Sequence, residues 1–251
     1  MSSNVISLFV FASVFVGALL AMRLRSALPE NHLSEETKDT VKLTMGLVAT
    51  MAALVLGLLV ASTKEAYDTE RNEVTQMAAK IIYLDRILVG YGTESAETRK
   101  LLRHTVETAI FRMWPDETKS GSAPDPSASW NEMLPASIGK LSPQNDPQRT
   151  AKSEAAQIAS DLGQLRWLLF EQSETSISMP LLVVLICWLA ILFFSFGLFA
   201  PANSTAVIAL LVSSLSVAGA IFLILELDHP FNGLIHISSG PLRNVLTHFG
   251  N

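Results

Sequence analysis

The sequence predicts an all-α membrane protein, with four transmembrane helices and a helical extramembrane bundle between the second and third helices. Of the 251 residues, 49% are hydrophobic and 16% are charged, and the mean hydropathy is +0.37. Four segments contain no Asp, Glu, Lys or Arg: residues 5–22, 43–62, 179–199 and 205–225. Each is close to the ~20 residues that a helix needs to cross a hydrocarbon core.

Two other interpretations of the apolar segments are less favoured. Four buried helices of a soluble domain would need more polar chain to cover them than this sequence contains. A cleaved signal peptide would carry basic residues before its apolar segment, whereas Arg23 and Arg25 follow the first segment here. This charge order predicts an uncleaved anchor whose N-terminus lies outside.

The second apolar segment is predicted to belong to a longer helix. Pro29 interrupts the chain before it, and Ser34 followed by Glu35 and Glu36 is typical of a helix N-cap with an acidic first turn. Residues 1–62 are therefore expected to hold the first two spans, joined by a short basic loop.

Residues 63–178 form the extramembrane region, and three amphipathic stripes predict three helices in it. The stripes are Val74, Met77, Ala78, Ile81, Leu84 and Leu88, then Leu101, Leu102, Thr105, Val106, Ala109, Ile110 and Met113, then Ala155, Ile158, Ala159, Leu162, Leu165 and Leu169. A turn at 91–93 separates the first two stripes. Six prolines predict a loop at 115–147, with at most a short helix at 130–134. The three helices can bury their stripes against one another as a bundle.

The last two spans are predicted within residues 179–227, and a turn with a short helix within residues 228–251. Pro230 ends the fourth helix and Gly233 permits a turn. Leu242, Val245, Leu246 and Phe249 then form an amphipathic stripe, expected to lie on the membrane surface or against a neighbouring element.

The distribution of basic residues predicts the orientation. Arg23, Arg25, Lys38 and Lys42 lie in the first loop, whereas residues 1–4 and 200–204 carry no Lys or Arg. Basic loops are retained in the cytoplasm, while loops longer than about 60 residues cross largely regardless of charge. We therefore expect both termini and residues 63–178 to lie on the extracytoplasmic side of the membrane. The membrane itself is expected to be a bacterial inner membrane.

No motif points to an enzyme, and no catalytic, cofactor-binding or metal-binding residue is predicted. The single cysteine, Cys187, lies in an apolar segment, and the net charge of −5 argues against a nucleic-acid partner. His229 and His236 lie close in sequence to Glu226 and Asp228, which leaves two interpretations. Helix caps and salt bridges that fix the end of the fourth span are favoured over a divalent-cation or proton-linked site at the membrane surface.

The second span has small residues at every fourth position: Ala49, Ala53, Gly57 and Ala61. This face fits close helix packing or, with Thr50 and Ser62 nearby, the lining of a narrow pore in an oligomer. Ser213, Ser214, Ser216 and Gly219 in the fourth span allow the same two interpretations. Because the spans lack charges, a passive channel or a non-conducting assembly is favoured over an ion-coupled transporter.

The charged residues just after the second span also have two interpretations. They are Lys64, Glu65, Asp68, Glu70, Arg71 and Glu73. A solvated helix face is the default, and an acidic ring at a vestibule mouth, which would favour cations, is the alternative.

Two segments carry a resemblance to a known family: residues 46–68, which include Leu56-Gly-Leu-Leu-Val-Ala-Ser-Thr-Lys-Glu-Ala-Tyr-Asp, and Leu227-Asp-His-Pro-Phe-Asn-Gly. They resemble the bestrophin-like family of bacterial and plant membrane proteins. The name implies a relation to bestrophins, which are pentameric anion channels with four spans per subunit. In bestrophins a Pro-Phe-Gly segment follows the fourth span, and an Asp-Leu-Pro-Leu stretch comes soon after. After Asp228, the residues Pro230, Phe231, Gly233, Pro241 and Leu242 stand here in a similar order.

Three features depart from the bestrophin pattern. Residues 43–62 lack the aromatic residues that line the bestrophin neck, and residues 234–239 lack the acids of the animal calcium clasp. Bestrophins also keep their large extramembrane region in the cytoplasm, opposite to the orientation that the basic residues predict.

The sequence leads to two hypotheses about function. The first is an oligomeric ion channel surrounded by membrane lipid, a pentamer if the parallel holds, with the second span nearest the axis. The second is a non-conducting scaffold or sensor that binds a partner through its extramembrane bundle.

Overall fold

The computed structural model describes residues 3–25, 35–115, 130–172 and 177–249. Pro29 and Ser34, on which the predicted start of the second helix rests, lie outside the described residues. The helices within the described ranges are α1 (Ser3–Leu24), α2 (Glu35–Tyr91), α3 (Ala96–Met113), α4 (Trp130–Lys140), α5 (Asp146–Gln172), α6 (Met179–Phe199), α7 (Ser204–Leu227) and α8 (Gly240–His248).

The four predicted spans are confirmed as helices. α1, α2, α6 and α7 are each long and apolar enough to cross a membrane. α2 has 57 residues, far more than a crossing requires, because its amphipathic second half continues the apolar first half without a break. The chain divides into a membrane unit, residues 1–66 and 175–228, and a bundle unit, residues 67–174 and 229–251. α2 contributes to both units.

In the membrane unit, α1 packs against both α6 and α7. Gly197 on α6 allows this approach, because an added Cβ there would overlap the carbonyl oxygen of Ala18 on α1. The ends of the helices are also joined: Arg25 donates a 2.6 Å hydrogen bond to the carbonyl oxygen of Ala200. The C-terminal ends of α1 and α6 therefore lie on the same side of the membrane unit. The core combines residues from all four spans. Its members include Val10, Val14, Ala18, Ala52, Leu59, Leu185, Leu192 and Ile221.

In the bundle unit, the predicted stripes form the core. Every residue of the α2 stripe is buried, as are Leu102, Val106 and Ile110 on α3 and Ala155, Ile158, Ala159 and Leu169 on α5. Polar contacts then join α2 to α5. Lys80 forms a 2.5 Å ion pair with Asp161, and the Tyr83 hydroxyl donates to Glu154 at 2.5 Å.

α2 ends at Tyr91, in the turn predicted at residues 91–93. Gly92 has a φ of 116°, in the left-handed region that favours glycine. Ser95 donates to the carbonyl oxygen of Leu88, and Gln148 donates to that of Tyr91 at 2.9 Å. Two carbonyl groups at the end of a helix, which have no partner within it, are satisfied in this way.

α4 runs to Lys140, beyond the predicted end at 134, and includes Pro135. The burial of Leu134, Ile138 and Leu141 in the core of the bundle unit stabilises this helix and outweighs the cost of a proline inside it. Lys152 donates to the carbonyl oxygens of Gly139 and Leu141 and satisfies the end of the helix. The predicted loop at 115–147 is thus helical over 130–140, and residues 116–129 lie outside the described residues.

α8 belongs to the bundle unit and packs against its other helices, so one of its two predicted positions, against a neighbour, fits. Leu242 and Val245 are buried in the same core as α2 and α3, and Pro241 occupies the first turn of the helix. Leu246 and Phe249, the other two residues of the stripe, are half-buried against the same core.

Candidate functional site

The membrane part of α2 is the least covered of the four spans. In its most apolar window 11% of the residues are buried, against 28%, 39% and 28% for α1, α6 and α7. Among the described residues, one face of this part of α2 packs into the core of the membrane unit; its residues are Met45, Val48, Ala49, Ala52, Val55, Leu56 and Leu59. The rest of the helix surface is available to lipid or to another copy of the chain.

The uncovered surface has two flanks of different character. Because successive residues in a helix are rotated by about 100°, one flank carries Gly46, Thr50, Ala53, Gly57 and Ala61. The opposite flank carries bulky exposed residues, Leu47, Met51, Leu54 and Leu58. We call the first the small flank and the second the bulky flank.

The predicted small residues are divided between the packed face and the small flank. Ala49 is half-buried against the core, whereas Ala53, Gly57 and Ala61 are exposed. A Cβ added at Gly57 would meet no neighbouring atom within 4 Å among the described residues. The Thr50 hydroxyl donates to the carbonyl oxygen of Gly46 at 2.9 Å, which leaves its oxygen as a polar point on the flank. Of the corresponding residues in α7, Ser214 is buried, whereas Ser213, Ser216 and Gly219 are exposed.

The charged segment after the second span is not a uniformly solvated face. Glu70 is 4% exposed and Glu73 is 9% exposed. They continue the buried stripe of Val74 and Met77 by one helical turn. The solvated-face interpretation is therefore wrong for these two carboxylates. Lys64, Glu65 and Arg71 are exposed, as that interpretation predicts.

The turn after α7 begins at Asp228, whose N–H group donates to the carbonyl oxygen of Ile224 at 3.2 Å. Pro230 is buried, and Asn232 donates to the carbonyl oxygen of His229 at 3.1 Å. Gly233 has a φ of 98°, which explains why the turn requires glycine. The N–H group of Ile237 then donates to the carbonyl oxygen of Pro230 at 2.7 Å and closes the segment.

Trp114, at the end of α3, holds this segment in place, a role that the sequence pattern did not predict. Its side chain is 1% exposed, and its indole N–H donates to the carbonyl oxygen of Ile237 at 2.6 Å. Its ring meets that of Phe231 edge to face, with centroids 5.4 Å apart. In the sequence, Trp114 stands at the end of an apolar stripe and is followed by Pro115. This pattern predicts the end of a helix, but not the contact of the indole with a distant segment.

The histidines of the turn do not assemble a metal site. Within the described ranges, no three His, Cys, Asp or Glu side chains are arranged to hold a metal ion. His236 instead contacts the carbonyl oxygen of Gly233 through Nδ1 at 3.2 Å, as expected of a residue that stabilises the turn. Cys187 is exposed on α6.

Fold and surface together define a four-span, all-helical membrane protein whose second span continues into an extramembrane helical bundle. A model of the bestrophin-like domain matches residues 11–242. This chain therefore belongs to the bestrophin-like family, and it is a membrane protein related to bestrophin channels. No curated protein matches the sequence directly.

Solved structures share the fold. Crystal structures of two point mutants of a bacterial bestrophin homologue from Klebsiella pneumoniae match with TM-scores of 0.69 and 0.67, at 14% and 13% identity. The matches cover 97% of this chain in both cases, and 99% and 98% of the homologue. A third crystal structure, of a membrane protein with one substitution, matches with a TM-score of 0.63 at 14% identity and covers 98% of this chain and 99% of the other.

Proposed function

We propose that this protein is an oligomeric ion channel in which α2 of each copy faces a central axis. The exposed small flank of α2 carries the proposal. A helix that packs on one narrow face, with Ala53, Gly57 and Ala61 uncovered, can approach copies of itself closely. The relation to bestrophin channels supports five copies around the axis.

The bulky and small flanks suit different surroundings. Leu47, Met51, Leu54 and Leu58 offer the branched or flexible apolar surface that packs well against lipid tails or a neighbouring subunit. The small flank leaves room along the axis, and the oxygen of Thr50 supplies a polar contact there. A constriction lined mainly by apolar groups conducts when wetted and closes when water leaves it.

The turn at 228–233 is proposed to fix the end of the pore. It joins the last span to the bundle unit, and the contact of Phe231 with Trp114 restrains its position.

The subunit count and ion flux test this proposal. Light scattering of the detergent-purified protein is expected to give a pentamer, and liposomes that contain it are expected to pass ions. Ala53→Leu or Gly57→Leu should reduce flux by about tenfold or more, since each copy adds a bulky group to the same constriction.

Ser62→Leu is the matched control. Ser62 was predicted to lie near the pore face, but a rotation of about 100° per residue places this exposed residue beside the bulky flank. It adds nearly the same volume as Ala53→Leu, and its flux should stay near that of the unmodified protein. A monomer or dimer without flux would overturn the proposal and favour a non-conducting scaffold. Equal loss of flux in all three variants would exclude the small flank as the pore lining.

A further inference from the structure

The bundle unit contains a cavity of about 290 Å³ between α2, α3 and α8. Its charged and polar lining consists of Asp85 and Arg86 from α2, Arg99 from α3 and His248 from α8. These residues are far apart in sequence and meet only because α8 docks beside the α2–α3 hairpin. The volume is at the lower end of the range for small-molecule sites.

Two of the charged residues neutralise each other. Arg99 donates through Nε to one carboxylate oxygen of Asp85 at 2.7 Å and through a terminal nitrogen to the other at 3.2 Å. This bidentate geometry is the strong form of an arginine–carboxylate pair. The hydrogen bond with Asp85 also raises the pKa of Arg99, so the guanidinium stays charged. Asp85 is therefore already committed to Arg99.

Arg86 is left as an excess positive charge at the cavity. Its side chain is exposed, and it has neither a hydrogen bond nor an ion pair with any of the described residues. The His248 ring, at the end of α8, adds a second group that can donate a hydrogen bond. A guanidinium that pairs with none of the described residues, at the wall of a cavity, suits a carboxylate oxygen pair.

The remaining wall is apolar. It is lined by Ile82 and Val89 on α2 and by Val245 and Phe249 at the end of α8. Val245 is buried in the core, which gives the apolar wall a rigid base, and Val89 is exposed. The cavity thus combines one charged edge with an apolar surface.

We propose that this cavity binds a small organic monoanion, a carboxylate attached to a compact apolar group of on the order of ten non-hydrogen atoms. Arg86 binds the carboxylate, the Asp85–Arg99 pair shapes the polar edge, and the apolar group lies against Val89, Val245 and Phe249. A bound ligand bridges α2 and α8 and so stabilises the docking of the C-terminal helix. This site is independent of whether the protein conducts ions.

Benzoate is the probe, and its neutral analogue benzamide is the comparison. Binding to the full-length protein in detergent is measured by calorimetry and by the rise in unfolding temperature with ligand concentration. Benzoate is expected to bind, benzamide to bind at least about tenfold more weakly, and Arg86→Gln to lose about tenfold or more in benzoate affinity. Arg149→Gln is the matched control, because Arg149 is exposed on the same unit and pairs with Asp146 at 3.3 Å.

Several results would overturn the proposal. These are no benzoate binding at millimolar concentration, equal affinity for benzamide, or an Arg86→Gln variant that binds benzoate normally. Inorganic phosphate serves as a further probe, and binding of phosphate without benzoate would exclude an organic carboxylate as the ligand class. An equal loss in Arg149→Gln would show that only the overall charge of the unit matters. The unfolding temperature of the Arg86→Gln variant without ligand reports whether the variant folds. Because Arg86 is exposed, this temperature is expected to match that of the unmodified protein.

Discussion

At the residue scale, single side chains set how closely elements approach. Gly197 lies against the backbone of Ala18, so that α1 and α6 meet without an intervening side chain. Gly219 on α7 has open space around its Cα within the described structure. Two glycines in neighbouring spans are therefore predicted to respond differently to the same substitution.

Gly197→Ala is expected to destabilise the protein by about 1–3 kcal/mol, because the new methyl group must displace the α1 backbone. Gly219→Ala should leave stability unchanged or slightly raised, since alanine favours a helix over glycine. Unfolding of both variants in detergent with increasing SDS measures the difference. Equal stability of the two variants would contradict the close contact between α1 and α6.

The Lys80–Asp161 pair gives a prediction for pH. The hydrogen bond from Lys80, with a second from Gln157, lowers the pKa of Asp161 below its usual value. A carboxyl group whose pKa is lowered on folding stabilises the protein above its unfolded pKa, and this stabilisation is lost as the pH falls through the folded pKa.

Lys80→Met should therefore lower the unfolding temperature at pH 7 by a few degrees at most, because the pair is partly exposed. The difference from the unmodified protein should shrink as the pH falls below about 4. Lys100→Met, which breaks an exposed pair with Glu97 inside one helix, is the control and should have a smaller effect. A difference for Lys80→Met that persists at pH 2 would show that lost packing, not charge, is the cause.

At the element scale, the C-terminal segment depends on one tryptophan. The Trp114 side chain both donates to Ile237 and packs against Phe231, so it links the end of α3 to the turn after α7. A buried carbonyl group that loses its donor costs stability.

Trp114→Phe should destabilise the protein by about 1–3 kcal/mol and loosen residues 228–249, since the phenyl ring cannot donate to Ile237. Limited proteolysis of the C-terminal segment, together with denaturant unfolding, measures both effects. Trp167→Phe is the control, because Trp167 is 69% exposed on α5. Proteolysis that is no faster in Trp114→Phe than in Trp167→Phe would contradict this role.

At the scale of the whole molecule, orientation is a prediction of the basic residues. Ser153 is exposed on α5 of the bundle unit, and Ala202 is exposed in the loop between α6 and α7. A chain with four spans places these two positions on opposite sides of the membrane. We expect residues 63–178 to lie outside, because the short basic loop is the part retained in the cytoplasm.

Cysteines introduced separately at these positions test the orientation, in a background where Cys187 is replaced by serine. Ser153→Cys should react with an impermeant thiol reagent on intact cells, and Ala202→Cys only after lysis. The reverse pattern would contradict the charge-based orientation and agree with the cytoplasmic bundle that the bestrophin parallel implies.

Local periodicity explains why the four spans and the amphipathic helices could be predicted from the sequence. The four spans and the stripes of α2, α3 and α5 depend on residues within a few turns of one another, and a charge-free or amphipathic segment has few alternative ways to fold. The same holds for Gly92 and Gly233, where glycine permits the positive φ that each turn requires. The small residues of α2 were also visible in the sequence, although their role between copies stays a prediction.

The sequence by itself determined the class of fold, because membrane spans and amphipathic helices are encoded by short-range patterns. Only the tertiary structure decided that α4 continues through Pro135, that Glu70 and Glu73 are buried, and that α8 covers a cavity beside Arg86. Each of these outcomes depends on packing between segments far apart in the chain, and the free energy gained by such packing outweighs the local preference of the residue concerned.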